Sequence, residues 1–292
     1  MIIQYTWPTP NGHKVSILIA ELGLEKEVVA VDINKGDQFD PGFLKLSPNN
    51  RIPAIVDHDP ADGGEPLVVF ETGAIMIYLA EKEGRFLSDP TDIRSRKSVM
   101  EWLMWQMGGL GPMAGQAHHF RQAMGGKDVP YGVERYSKEV RRLYGVMDRR
   151  LADNPWLGGE AYSIADMACW PWARPSRRQG VDKADFPHVK RWFDEMSARP
   201  GVQAGMALLA EHRGSKAMSD EARDLLHGGG GRTEPDVRVR EIDVHGVGAA
   251  HRSEFPRWAS GASCPVVDIR SSAFARRRSP SDAFWLLCRA LT

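Results

Sequence analysis

The spacing of apolar positions changes period as the chain is read, and the changes mark its elements. Ile2 to Thr6 reads as a strand. Asn11-Gly12 opens a helix whose apolar Val15, Leu18, Ile19 and Leu22 recur at three- and four-residue steps. Glu27 to Ile33 reads as a second strand, and Pro41 to Leu46 as a short helical turn. An apolar strand then begins at Ile52-Pro53, a second runs from Leu67 to Phe70, and a helix follows Thr72 through Ile75, Ile77, Tyr78 and Leu79. The order is βαβ and then ββα, which predicts a small mixed sheet with helices on both faces.

Residues 85–92 read as a linker, and from Ile93 the strand signals stop. Met100, Leu103 and Met107, then Tyr136, Val140, Leu143, Met147 and Leu151, follow helical steps. Gly108-Gly109-Leu110-Gly111-Pro112 interrupts the first of these runs and is expected to kink it. Ser163-Ile164-Ala165-Asp166 has the form of a capping box, with Asp166 read as a cap, and opens a helix through Trp170-Pro171-Trp172. Pro187 to Ala198 and Val202 to Leu209 complete the helical pattern. The predicted organisation is an α/β thioredoxin-like N-terminal domain over residues 1–84, followed by an all-α helical C-terminal domain over 93–227. Residues 228–292 open on a glycine run and contain ten arginines and no lysine. Without sustained periodicity they read as a disordered or non-native tail, and Arg276-Arg277-Arg278-Ser279-Pro280 as part of it.

The chain has 292 residues and a formal net charge of zero, so nothing global argues for nucleic acid or an anionic membrane. No stretch approaches the roughly 20 apolar residues of a membrane span. The strand pattern starts at Ile2, which leaves no room for a leader, and the expected location is the cytoplasm. Cys169, Cys264 and Cys288 form no C-x-x-C pair, so thiol chemistry here needs a borrowed thiol. Cys169, inside an apolar helix start, reads as packing. His118 and His119 are adjacent on a helix and point about 100° apart, so no metal is expected.

The candidate chemistry lies in Asn49-Asn50-Arg51-Ile52-Pro53 and Phe70-Glu71-Thr72. A cis Ile52-Pro53 bond would turn the Ile52 backbone outward to pair with an extended ligand as an added strand. N–H groups at the helix start after Glu71 can bind a carboxylate, and the Glu71 side chain can take an ammonium. Glutathione has that outline. Glu71 also suits an exposed acid that complements the helix dipole. Thr9 and Asn11 equally suit a helix cap after a proline turn. Tyr5 reads as core packing, with a thiolate donor as its rival, and Trp102, Trp105, Trp170 and Trp172 read as core, with an acceptor pocket as theirs.

Thr9-Pro10-Asn11-Gly12-His13-Lys14, Gly36-Asp37-Gln38-Phe39, Ser47-Pro48-Asn49-Asn50-Arg51-Ile52-Pro53, Phe70-Glu71-Thr72-Gly73-Ala74 and Gly108-Gly109-Leu110-Gly111-Pro112 together resemble the bacterial nu-class glutathione transferases, from about Ile2 to about Leu226. That family includes glutathione-dependent disulfide-bond oxidoreductases. The resemblance implies the glutathione transferase fold, a homodimer and glutathione as cosubstrate. It places Thr9 and Asn11 at the sulfur as the catalytic pair. Ile52 and Pro53 would meet the cysteinyl backbone, Glu71 and Thr72 the γ-glutamyl end, Gln38 the peptide, and Arg135 a terminal carboxylate. Thr72 stands where the family often has serine. The expected activity is reduction of small disulfides through a bound glutathione thiolate. Conjugation to electrophiles and partner binding without turnover are the alternatives.

Overall fold

Strand β1 (Ile2–Thr6) is an inner strand of the sheet and leads straight into the helix that carries the candidate sulfur site. The computed structural model describes residues 1–123 and 129–212. Among them β1 pairs in parallel with β2 (Lys26–Ala30) and antiparallel with β3 (Ala54–Asp57), which pairs antiparallel with β4 (Leu67–Phe70). The order is β2-β1-β3-β4, with Gln4 opposite both Val28 and Ile55. Helices α1 (Pro10–Leu22) and α3 (Thr72–Glu83) cover the face that carries Ile2 and Ile55, and Val15, Leu18, Ile75 and Leu79 fill the space between. Phe43 and Leu46 of α2 (Pro41–Leu46) cover the other face with Val31, Ala54 and Tyr5. The mixed sheet with helices on both faces is the layout that the apolar pattern predicts.

The second strand is shorter than its apolar run. Val31 still gives its N–H to Thr6, but Asp32 accepts from the Asn34 N–H and starts a turn, so the ladder stops at Ala30. Val31 then packs under α2.

The helical layer begins with α4 (Ile93–Trp105). At the glycine run, where a kink is expected, the backbone forms a π-type turn over Gln106–Leu110 before α5 (Gly111–His118). An inserted residue of this kind is one way a helix re-aims its side chains. Helices α6 (Pro130–Asp153), α7 (Ile164–Ala173), α8 (Pro187–Ala198) and α9 (Pro200–Ala207) follow. The α7 capping box is present, with Asp166 fully buried. Its carboxylate accepts from the Ser163 N–H at 3.0 Å, the Leu157 N–H at 2.8 Å and the Trp192 indole at 2.9 Å. Those bonds fix the start of α7 and with it the direction of Trp172 near its end.

α1 packs against α7 and α9, and Arg199 clamps Glu21 of α1 with two bonds of 2.7 and 2.9 Å. The α1–α9 contact is close enough that a Cβ on Gly205 would lie 2.5 Å from Ile17 Cα. The glycine-rich residues 228–292, the arginine stretch, Cys264, Cys288 and the end of the helical region expected at 227 lie outside the described residues.

Gly205→Ala is expected to lower unfolding free energy by about 1–3 kcal/mol through overpacking. Gly108→Ala, with nothing within 4 Å of the new Cβ, is expected to change it far less. Urea denaturation of both variants measures the difference, and equal effects would refute this account of the α1–α9 contact.

Candidate active site

Thr9 is the N-cap of α1, with extended φ and ψ of −108° and 165°. Its Oγ1 accepts from the Gly12 N–H at 3.2 Å, which leaves the hydroxyl proton as a donor. Asn11, two residues on, is half-buried, and its Oδ1 accepts from the Trp172 indole N–H at 3.0 Å. An indole nitrogen only donates, so the amide oxygen faces Trp172 and the NH2 group faces away. Capping and donation to a ligand are therefore compatible roles: one lone pair closes the helix while a hydroxyl proton and an amide NH2 remain.

The Ile52-Pro53 bond is cis, and Ile52 stands outside the ladder, which begins at Ala54 opposite Tyr5 and Phe70. Ser47 closes the preceding turn, donating from Oγ to the Arg51 carbonyl at 2.9 Å. Across the β3–β4 hairpin, Glu71 adopts φ 70° and ψ 120°, a left-handed conformation that costs a non-glycine residue about 1–3 kcal/mol. Its exposed carboxylate makes no capping bond to its own helix, and Asn49 Nδ2 approaches it at 3.5 Å. Thr72, the first residue of α3, is buried and its hydroxyl turns inward, donating to Met107 Sδ at 3.2 Å. What Thr72 offers outward is its backbone N–H, one of the unpaired donors of a helix start.

Lys14 is the residue that sequence reasoning missed. It is 2% exposed, and its Nζ donates to Gln106 Oε1 at 2.6 Å, to Thr72 Oγ1 at 3.3 Å and to Met107 Sδ at 3.4 Å. Burial pushes its pKa down to about 7, against the pull of Cys169 and Glu71. The signal was available: Lys14 precedes Leu18 by four positions and shares its core-facing side of α1. A cation on an apolar face calls for an internal partner. Gln106, itself fully buried, supplies one through Oε1, while its Nε2 lies buried with no hydrogen-bond partner. A Cβ on Gly111 would lie 2.6 Å from that Nε2 and 3.5 Å from the Trp172 indole nitrogen, so the two polar side chains meet over a bare glycine. Thr9, Asn11, Lys14, Thr72, Gln106 and Trp172 thus surround the start of α1.

Gln38 and Arg135 stand apart from this group. Gln38 is buried in the turn Asp37–Phe39, and its Oε1 has no hydrogen-bond partner. Arg135 is exposed on α6 and lines a cavity of about 680 Å³ with Met113, Tyr131, Tyr136, Glu139 and Arg142. Tyr5 packs on Phe43, ring centroids 6.4 Å apart, on the face of the sheet away from α1, as its core reading expects. Trp172, read from the sequence as core, is only half-buried and reaches a candidate sulfur-site residue instead. Cys169 is fully buried, and burial holds its thiol well above the ordinary range. Among the described residues no group of three His, Cys, Asp or Glu side chains could hold a metal ion. No helix among them is long and apolar enough to cross a membrane.

The depressed Lys14 pKa gives stability a pH dependence. Between about 7 and the ordinary lysine value near 10.4, the unfolded chain binds a proton that the native protein has released. Stability therefore rises with pH across that window. Relative to Lys14→Met, the wild type is expected to gain unfolding free energy as pH is raised from about 7 to about 10. Denaturation curves of both proteins at several pH values measure it, and stabilities that run parallel would show that Lys14 keeps an ordinary pKa.

The glutathione S-transferase N-terminal domain matches residues 2–81, and the C-terminal domain of the same family matches residues 131–200. The disulfide-bond oxidoreductase YfcG of Escherichia coli (strain K12) is 54% identical over 216 residues, 74% of this chain and 98% of that protein. A glutathione transferase from Burkholderia graminis, solved with two glutathione molecules bound per subunit, superposes with a TM-score of 0.67 at 41% identity, over 73% of this chain and 89% of that one. Another from Pseudomonas putida, solved with one glutathione disulfide per subunit, gives 0.68 at 42% identity, over 71% and 91%. With both halves of the fold matched in order, and a relative more than half identical along nearly its whole length, the chain belongs to the glutathione S-transferase family.

Proposed function

We propose that this protein is a glutathione-dependent disulfide-bond oxidoreductase that reduces small disulfides through a bound glutathione thiolate. The observation that carries the reading is the pair of donors at the start of α1, the Thr9 hydroxyl and the Asn11 amide NH2 turned out by Trp172. A free thiol has a pKa near 8.5. Making thiolate the major form at neutral pH takes about 2.7 kcal/mol, or two pKa units. Two hydrogen bonds to a charged sulfur, at about 1.5–3 kcal/mol each, cover that requirement, and the helix dipole adds to it.

The rest of the peptide has partners of matching chemistry. The Ile52 backbone takes the cysteinyl unit as an added strand beside Pro53. The Thr72 N–H at the start of α3 takes the γ-glutamyl carboxylate, with the Lys14 ammonium behind it, and Glu71 takes the ammonium. Gln38 has an unpaired acceptor for a peptide N–H, and Arg135 offers a charge to a terminal carboxylate.

In the proposed reaction the thiolate attacks one sulfur of a disulfide, forming a mixed disulfide and expelling the other sulfur as a thiolate. A second glutathione thiolate then attacks the glutathione sulfur of the mixed disulfide and expels the remaining thiolate. Two glutathiones are oxidised to glutathione disulfide, the substrate is reduced to two thiols, and the two protons from glutathione end on them. We assign the second equivalent to a second glutathione, since among the described residues the only cysteine, Cys169, is buried with its thiol held well above the ordinary range. Relatives bearing the oxidoreductase name and a neighbour holding glutathione disulfide support this assignment over thioether formation. We take the protein to act as a homodimer in the cytoplasm, where glutathione is kept reduced. The exposed apolar Leu67, Val68 and Phe70 of edge strand β4 suit a covered face.

Turnover of 2-hydroxyethyl disulfide and of a chloronitrobenzene, both with glutathione, tests the reading. Disulfide turnover is expected to dominate, and Thr9→Ala or Asn11→Ala to lower its kcat/KM by about ten- to a hundredfold. Glu71→Gln is expected to act mainly through a higher KM for glutathione. Dominant thioether formation would replace reductase with conjugating transferase, and glutathione binding without either turnover would replace both with partner binding.

A further inference from the structure

The Trp172 side chain takes no bond-making step in the proposed chemistry, yet it donates to Asn11. Its place is set from several sides. It sits near the end of α7, whose start is fixed by the buried Asp166. Its ring lies on α5 where that helix is bare: a Cβ on Gly115 would meet the ring at 3.4 Å, and one on Gly111 would lie 3.5 Å from the indole nitrogen. Its carbonyl accepts from the buried Gln179 Nε2 at 2.8 Å. The indole N–H is then delivered to Asn11 Oδ1 at 3.0 Å.

An asparagine amide has two faces of opposite polarity, interchanged by a half-turn of the side chain. Turned one way it offers a thiolate two N–H donors; turned the other way it offers lone pairs that repel it. Nothing in Asn11 itself selects the first. The Trp172 N–H does, since a donor-only group can face only the oxygen. We propose that Trp172 is a positioning residue for the sulfur site, holding the Asn11 amide with its oxygen inward so that Asn11 meets the sulfur of bound glutathione only as a donor. This rests on the assignment of Asn11 to the sulfur.

The bland reading is that the bond merely ties α1 to α7. The two readings separate in the pKa of the bound thiol, which a structural tie would not move. Ultraviolet absorbance of the thiolate, followed against pH, gives that pKa in the wild type, Trp172→Phe, Asn11→Ala and the double variant. Trp172→Phe is expected to raise it by roughly one unit, a tenfold fall in the ionisation constant of the bound thiol. Affinity for S-methylglutathione, which has no ionisable thiol, is expected to stay within about twofold, far below that tenfold change. In the Asn11→Ala background Trp172→Phe is expected to add nothing, because the group it orients is gone. Benzothienylalanine at position 172 keeps the ring shape against Gly115 but has no N–H, and should reproduce the shift even if phenylalanine perturbs the fold.

A bound-thiol pKa that shifts with Asn11→Ala but not with benzothienylalanine would overturn the role of Trp172 alone. A shift from Trp172→Phe that is as large in the Asn11→Ala background would do the same. An Asn11→Ala protein with an unshifted thiol would overturn the sulfur-site assignment beneath it.

Discussion

The constraint on which the site depends is the depth at which α1 is held. The helix turns back over the end of β1 so tightly that a Cβ on Gly12 would lie 2.2 Å from the Trp7 carbonyl oxygen, and its middle is pressed on α9 through Gly205. The sheet, α3, α7 and α9 all pack against it. A helix gripped this way has little freedom to slide or tilt, because packed interiors transmit displacement rather than absorb it. Its first turn is therefore a fixed platform. Thr9 and Asn11 inherit their positions from that packing.

The same packing creates an electrostatic cost. Lys14 is buried under α3, and its partners are a neutral amide, a hydroxyl and a thioether. Gln106 keeps an unpaired buried Nε2, and Glu71 holds a left-handed backbone. Each of these lowers stability, and all three lie around the start of α3. Strained backbone and unmatched polar groups gather where a ligand supplies what the protein lacks. In the proposed complex a carboxylate at the Thr72 N–H would set a negative charge above the Lys14 ammonium, and a ligand ammonium would meet Glu71.

Much of this was legible in the sequence. The strand and helix order followed from apolar period, because each element buries one face. Ile52-Pro53 and Glu71-Thr72 were readable because backbone chemistry at a proline and at a helix start depends on local sequence. What could not be read is where side chains point once elements pack. Thr72 is expected at the γ-glutamyl end of a ligand, but nothing local shows that its hydroxyl turns to Met107, 35 residues on in the chain, and leaves the backbone N–H outward. Lys14 and Gln106 are 92 residues apart and meet only because α1 and the π-type turn are stacked. Trp172 looked like core because tryptophan at helical spacing commonly is, and its bond to Asn11 spans 161 residues. The early end of β2 was hidden because Val31 stays apolar after the ladder stops; only Asp32 marks the turn.

The division of labour between these groups bears on why a reductase would use neutral donors at the sulfur. A cation beside the sulfur would depress its pKa further, but nucleophilicity falls as thiolate basicity falls, so the best attacking thiol has a pKa near the ambient pH. A hydroxyl and an amide lower the pKa by a moderate amount and stop there. The Lys14 amine, whose pKa burial lowers to about 7, lies on the same helix three residues past Asn11, yet it is bonded to Thr72 and Gln106 beneath the start of α3. In the proposed reaction the strong electrostatics thus bind the peptide's end, where tightness serves affinity. The weak electrostatics act on the sulfur, where moderation serves rate. In that reading the separation rests on α1, whose first turn carries Thr9 and Asn11 and whose second turn carries the buried Lys14.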